Sequence, residues 1–191
     1  MRDAADEWDE RYRQGRTMPD EPAGLLVENL PLLPKGGKAL DIAMGTGRNA
    51  LYLASLGFRV TGIDLSTVAV EKCRKKAERL GLSVEALVAD LERSPLPSND
   101  YDLIVNFYYL QRSLAPQIVA SLKPGGVLVF ESFTVDQLQF GWGPKSSEHL
   151  LHPGELREMF PDLETLLYHE GTVQGDRGPK AVASLIARKR A

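Results

Sequence analysis

The sequence predicts an α/β fold: a doubly wound, mostly parallel, seven-stranded sheet with helices on both faces and a C-terminal antiparallel strand. Two observations predict it. Between residues 38 and 133, short apolar runs alternate with helical patterns. Those runs are continuous, as in strands buried on both faces, and do not show the in/out alternation of a half-wet sheet. After residue 133 the alternation gives way to two strand-like runs around a Gly-rich loop, which permits a hairpin.

The elements follow in order. Residues 1–35 form an N-terminal helical extension or lid, with Trp8 and Tyr12 at helical spacing, then Met18-Pro-Asp-Glu-Pro22, then a short helical pattern of Leu25, Leu26 and Leu30. Residues 36–191 form the core. Lys38–Ile42 reads as the first strand, Gly45–Leu56 as a helix stopped by Gly57, and Phe58–Ile63 as the second strand. Ser66 is an N-cap for a helix to Leu80, with Val70, Cys73, Ala77 and Leu80 as its buried stripe. Strands follow at Val84–Ala89 and Tyr101–Phe107, a helix at Gln111–Leu122, and a fifth strand at Gly126–Phe133. A short helix near Pro153–Phe160 precedes Leu163–His169 and Ala181–Ala187.

The length of 191 residues suits one domain with a full core, and 43% hydrophobic with 26% charged residues is ordinary globular composition. The net charge of −3 argues against nucleic acid as the main partner. A single cysteine, Cys73, fits a reducing cytoplasm, where a core role is its expected one. The first ten residues are too charged for a signal peptide, and no apolar run approaches the roughly 20 residues of a membrane span. No surface stripe fixes an oligomeric state.

In an open α/β sheet the ligand site lies beyond the carboxyl ends of the strands. Polar or acidic residues stand at four such ends: Asp41 with the turn Gly45-Thr-Gly47, then Asp64, Asp90 and Asn106. The Gly turn lets the backbone approach a ligand closely. Asp64 can accept two hydrogen bonds from ribose hydroxyls.

Asp41-x-Ala43-x-Gly45-x-Gly47, Gly62-Ile-Asp64-Leu-Ser66, Ala89-Asp90 and Leu122-Lys-Pro-Gly-Gly126 resemble the class I S-adenosylmethionine methyltransferases, which have a Rossmann-like fold. The likeness runs over roughly residues 8–190, with one departure: Ala43 stands where that family usually has Gly. Trp8-Asp-Glu-Arg-Tyr12, Gly47-Arg-Asn-Ala-Leu-Tyr-Leu-Ala54 and the segment after the fifth strand resemble the tellurite-resistance-type members, themselves similar to the thiopurine S-methyltransferases. The resemblance implies S-adenosylmethionine as cofactor and S-adenosylhomocysteine as product. It places Asp41 near the methionine amino group and Asp90 against the adenine amino group, with the Leu91 backbone near the ring. Ala43, Gly45, Gly47, Asn49, Leu65 and Asn106 complete the expected cofactor site.

Gly45-x-Gly47-x-x-Ala50 also satisfies the dinucleotide fingerprint, with Asp64 further on. A nicotinamide oxidoreductase is opposed by Asp41, which would face a pyrophosphate, and by the lack of length for a substrate domain. A binding module that holds S-adenosylmethionine without turnover stays open. The expected acceptor is a small molecule, a thiol or a chalcogen oxyanion such as tellurite or selenite. Tyr12, Arg48, Tyr108, Trp142 and Lys145 are its candidate contacts, and Arg112 and His149 the candidate catalytic residues. His149 and His152 lack a third ligand, so no metal is expected. The run Lys72, Arg74, Lys75, Lys76 and Arg79, interleaved with Glu71 and Glu78, reads as a solvated helix face.

Overall fold

Strand β1 (Gly37–Ile42) is the axis of a seven-stranded sheet in the order β3-β2-β1-β4-β5-β7-β6. The computed structural model describes residues 4–15, 19–97, 100–175 and 177–190. Met18 of the predicted proline-rich link and Asp176 of the hairpin loop lie outside the described residues. β2 (Phe58–Asp64), β3 (Val84–Val88), β4 (Tyr101–Phe107) and β5 (Leu122–Phe133) run parallel to β1. β7 (Gly178–Lys189) is antiparallel to both β5 and β6 (Leu163–Gly175). The expected antiparallel strand is therefore present, set one place in from the sheet edge. The chain steps outward from β1 through β2 to β3, then returns to β4 on the other side. That reversal opens a crevice between β1 and β4 at their carboxyl ends.

Alternate residues of the central strands feed two apolar layers. Leu40, Ile42, Ile104, Leu128 and Phe130 pack with helices α5 (Ala115–Ser121) and α6 (Glu155–Glu158) on one face. Ala39, Val60, Leu103, Val105 and Val129 pack with α2 (Gly24–Glu28), α3 (Arg48–Ser55) and α4 (Thr67–Leu80) on the other. A further helix, α1 (Ala4–Arg13), lies against α4. Among the described residues, no helix is long and apolar enough to cross a membrane.

Several boundaries differ from the sequence reading for local reasons. The helix expected from Gly45 begins at Arg48, because Gly45 and Gly47 have φ of 58° and 84°, left-handed values that a right-handed helix excludes. The helix expected over 111–122 is a 3-10 turn (Arg112–Leu114) followed by α5, and Leu122 already belongs to β5. On α4, Val70, Cys73 and Ala77 are buried, but Leu80 is 57% exposed on the final turn, so the apolar stripe stops short. In the basic run on α4, Arg74, Lys75 and Arg79 are exposed and Lys72 and Lys76 half-buried, and several of these cations also have partners. Lys72 donates to the Tyr12 carbonyl and Arg74 to the Ala86 carbonyl, while the Lys75–Glu71 and Lys76–Asp20 pairs lie at the surface.

Candidate active site

The crevice is polar where the sheet is otherwise apolar. Asp41 on β1 and Asn106 on β4 are both buried, and their registers Asp41↔Val105 and Ile42↔Asn106 set them at the mouth of the crevice. Asp41 Oδ2 and Asn106 Oδ1 have no hydrogen-bond partner among the described residues. Burial raises the Asp41 carboxyl to about pKa 7, against the pull of the Arg48 guanidinium and the Ala50 N–H.

The loop after β1 bends tightly. Ala43 takes a positive φ of 52°, which explains why Gly is usual there and costs about 1–2 kcal/mol. The Met44 N–H donates to the Ile63 carbonyl at 2.9 Å and ties the loop to β2. At the end of β2, Asp64 accepts from the Gly45 N–H at 2.8 Å and the Ser66 N–H at 2.9 Å. Burial raises its pKa, and those two N–H groups hold the rise in check. Each of its oxygens keeps a lone pair for a ligand. A Cβ built on Gly45 would stand 2.9 Å from Tyr12 Oη, and one on Gly47 2.3 Å from Cys73 Sγ. The loop thus has room for backbone alone. Leu65 is half-buried beside it.

After β3, Asp90 caps its own turn by accepting from the Glu92 N–H at 2.9 Å, and Leu91 is buried with its carbonyl held by Gln111 Nε2 at 3.0 Å. Asn49, expected at the cofactor, is turned elsewhere: its Oδ1 accepts from the Ala23 N–H at 2.9 Å and anchors the start of α2.

Three of the expected acceptor contacts gather at one end. Arg48 stands 5.9 Å from the centre of the Tyr108 ring, and its charge is felt by both Asp41 and Tyr12. Tyr108 stacks on Phe133 with ring centres 4.9 Å apart, and Trp142 meets Phe133 edge-on at 5.8 Å. Lys145 and His149 are exposed on the segment beyond β5, where His149 ends a 3-10 turn (Ser147–His149). Arg112 acts as a clamp. It pairs bidentately with Glu155 and donates to the Glu148 and Leu150 carbonyls at 2.9 and 3.0 Å. Four of its five guanidinium N–H groups are thus engaged in holding that segment. Among the described residues, no cluster of His, Cys, Asp or Glu could hold a metal.

A family profile described as a methyltransferase domain matches residues 39–126, the stretch that contains every one of these strand ends. By that stretch the chain is similar to the class I S-adenosylmethionine-dependent methyltransferases. The probable S-adenosylmethionine-dependent methyltransferase TehB of Haemophilus influenzae is 29% identical over 168 residues, covering 80% of this chain and 57% of that protein. Hemagglutinin 1 of Eikenella corrodens is 33% identical over 145 residues, covering 70% of this chain and 46% of that protein. The chain thus spans about half the length of these relatives. The crystal structure of the Haemophilus TehB superposes with a TM-score of 0.76 at 22% identity, over 96% of this chain and 67% of that one. A structure from work on the conversion of a disulfide bond into a thioacetal group in echinomycin biosynthesis gives 0.76 at 22% identity, over 98% and 92%. These two likenesses speak for the fold.

A class I methyltransferase takes S-adenosylmethionine as cofactor. The residues present fit it. The unpartnered Asp41 and Asn106 oxygens suit an ammonium group, a cation that brings its own donors. Asp64, beside the Gly45–Gly47 loop, has lone pairs for ribose hydroxyls.

Three residues around the crevice escape the sequence reading as individuals. Asp9 anchors α1 and is buried, while its neighbour Trp8 is 43% exposed. Asp9 accepts from Ser66 Oγ, from Thr67 Oγ1 at 2.8 Å and from the Val68 N–H at 3.2 Å. Burial opposes the Asp9 carboxylate, but these three donors outweigh it and lower its pKa. A lowered folded pKa means the latch is intact above the ordinary carboxylate range and fails as pH falls through the lowered value. Asp9→Ala should cost the latch about 2 kcal/mol. The expected result is faster tryptic cleavage at Arg11 and Arg13, with the core still resistant; unchanged cleavage rates would dismiss the latch. Glu131 and Lys180 are the other two. They come together only because β7 pairs with β5 in the register Glu131↔Ser184, a contact far apart in sequence.

Proposed function

We propose that this chain transfers the methyl group of S-adenosylmethionine to a small-molecule nucleophile, a thiol or a chalcogen oxyanion such as tellurite or selenite. The observation that carries this reading is the pair of buried, unpartnered oxygens on Asp41 and Asn106 at the β1–β4 crevice. A buried carboxylate there repels a pyrophosphate and suits an ammonium, which counts against a nicotinamide. S-adenosylmethionine, when bound, supplies an activated methyl on a sulfonium sulfur, transferred by in-line displacement.

The protein's part is alignment, which can contribute about 7–11 kcal/mol. Asp41 holds the amino end and Asp64 the ribose. Tyr12, brought over the glycine loop by α1, closes the cofactor from water. Residues 1–35 act as the lid on a single methyltransferase domain. The acceptor enters past Arg48, Tyr108 and Trp142. The TehB relatives are compatible with a chalcogen oxyanion as acceptor.

The test is calorimetric titration with S-adenosylhomocysteine and with NADH, in the native protein and Asp64→Asn. Tight binding of the first, at least ten-fold weaker in the variant and absent for NADH, is expected. Preference for NADH would overturn the proposal. Methylation of selenite, tellurite or a thiol, read as S-adenosylhomocysteine released, separates turnover from mere binding.

A further inference from the structure

The end of the site away from Asp41 holds a buried ion pair. Lys180 Nζ donates to Glu131 Oε1 at 2.9 Å and to Tyr108 Oη, and the Tyr108 hydroxyl donates to the same carboxylate oxygen. Ser184 Oγ donates to Glu131 Oε2 at 2.8 Å. The Lys180 and Glu131 side chains are only 17% and 9% exposed. Lys180 Nζ lies 5.0 Å from the Tyr108 ring centre, the same ring that Arg48 approaches.

Two unfavourable arrangements meet here. A buried ion pair gains little stability over apolar residues of the same size. Tyr108 has φ of 62°, and a bulky residue held there costs about 1–3 kcal/mol. Among the described residues, two of the three non-glycine residues with positive φ are Ala43 and Tyr108, and both stand at this crevice. Strain and buried charge concentrated at strand ends mark a site that binds something.

We infer that Lys180 is an acceptor-binding residue, and that the acceptor it holds is negatively charged when it binds. This rests on the methyltransferase reading and assigns the charge and one contact of its acceptor. Glu131 and Tyr108 fix the ammonium in place. They take two of its three N–H donors, and the third is left for a ligand. Arg48 supplies the second positive charge against the Tyr108 ring, from α3. Neither neighbour is a useful base. Burial raises the Tyr108 phenol, so it keeps its proton, and the Glu131 carboxylate is held low by Lys180, Tyr108 and Ser184 despite its burial. The site recognises a nucleophile by its charge, with two cations and no proton acceptor between them.

The test uses the protein saturated with S-adenosylhomocysteine and two probes of one shape: 3-mercaptopropionate and its neutral amide. The native protein is expected to bind the carboxylate at least ten-fold more tightly. Lys180→Arg keeps that preference. The double variant Lys180→Met with Glu131→Gln replaces the ion pair by neutral groups, so no buried charge is left unpaired, and the preference disappears. Glu131→Gln alone leaves Lys180 unneutralised and keeps or enlarges it. Equal affinity for the two probes in the native protein, no binding of either included, overturns the inference. So does a preference that survives the double variant, or one that falls in Glu131→Gln. Failure of S-adenosylhomocysteine itself to bind shows up in the first titration and removes the underlying reading as well.

Discussion

Gly47→Ala is expected to abolish S-adenosylhomocysteine binding and to lower the melting midpoint by about 6–12 °C. Two separate penalties produce this. The residue sits at φ 84°, where an L side chain costs about 1–2 kcal/mol. The new Cβ would also stand 2.3 Å from Cys73 Sγ and 3.1 Å from Cys73 Cβ, inside a packed helix stripe. Overpacking of that kind adds typically about 1–3 kcal/mol. Cys73 is a small buried residue, so the loop and α4 must part or the loop must turn over, and either movement spoils the ligand cradle. The two penalties can be separated. Cys73→Ala in the same chain removes the sulfur contact and leaves the backbone strain, so it should restore part of the midpoint. A Gly47→Ala protein with a native melt and native affinity would show that the loop is not built for close approach.

Asp41→Asn is expected to move stability and affinity in opposite directions. Without cofactor, the native protein carries a buried carboxyl whose pKa is raised to about 7 by desolvation. A folded pKa above the unfolded one means the native state binds more protons between them. The contribution of Asp41 to stability is thus fully present below the unfolded pKa of about 4 and is lost as pH rises through about 7. Asparagine removes that loss, so the variant without ligand should melt higher than the native protein at pH 8. The cofactor's ammonium, by contrast, needs the ionised form. Removing one partner of a buried charge pair costs about 2–5 kcal/mol, so affinity for S-adenosylhomocysteine should fall by roughly 100-fold. Binding to the native protein near pH 6.5 should also release a proton, visible as a heat that changes with the ionisation enthalpy of the buffer. A variant with lower stability and unchanged affinity would place the ammonium elsewhere.

The strand ends were legible because buried parallel strands leave continuous apolar runs, and the acids that follow them stand out. Asp41, Asp64 and Asn106 are where that pattern puts them, at the carboxyl ends of adjacent strands. Side-chain commitments were not legible. Asn49 and Arg112 have the chemistry of a binding site, but Asn49 Oδ1 is taken by the Ala23 N–H and four Arg112 N–H groups by Glu155 and two carbonyls, which spacing cannot reveal. Trp8 and Tyr12 stand out by their helical spacing, while the anchor is the acid beside Trp8, because Ser66 and Thr67 at the start of α4 offer donors that only the fold brings near. Lys180 carried no signal at all. Its partner Glu131 is on β5, and the encounter depends on how the last hairpin lies on the sheet.

That hairpin has a consequence for the order of assembly. β7 follows β6 in the chain yet lies between β5 and β6, so β6 has no partner in the growing sheet until β7 has paired with β5. The Gly-rich loop, α3 and β2 can form from early, mostly near-neighbour segments. Glu131 waits for Lys180, a non-local encounter of the kind that slows folding. The two halves of the pocket therefore mature at different times during synthesis. The half that grips the cofactor can exist on a nascent chain, and the half that selects the acceptor arrives with the final strand.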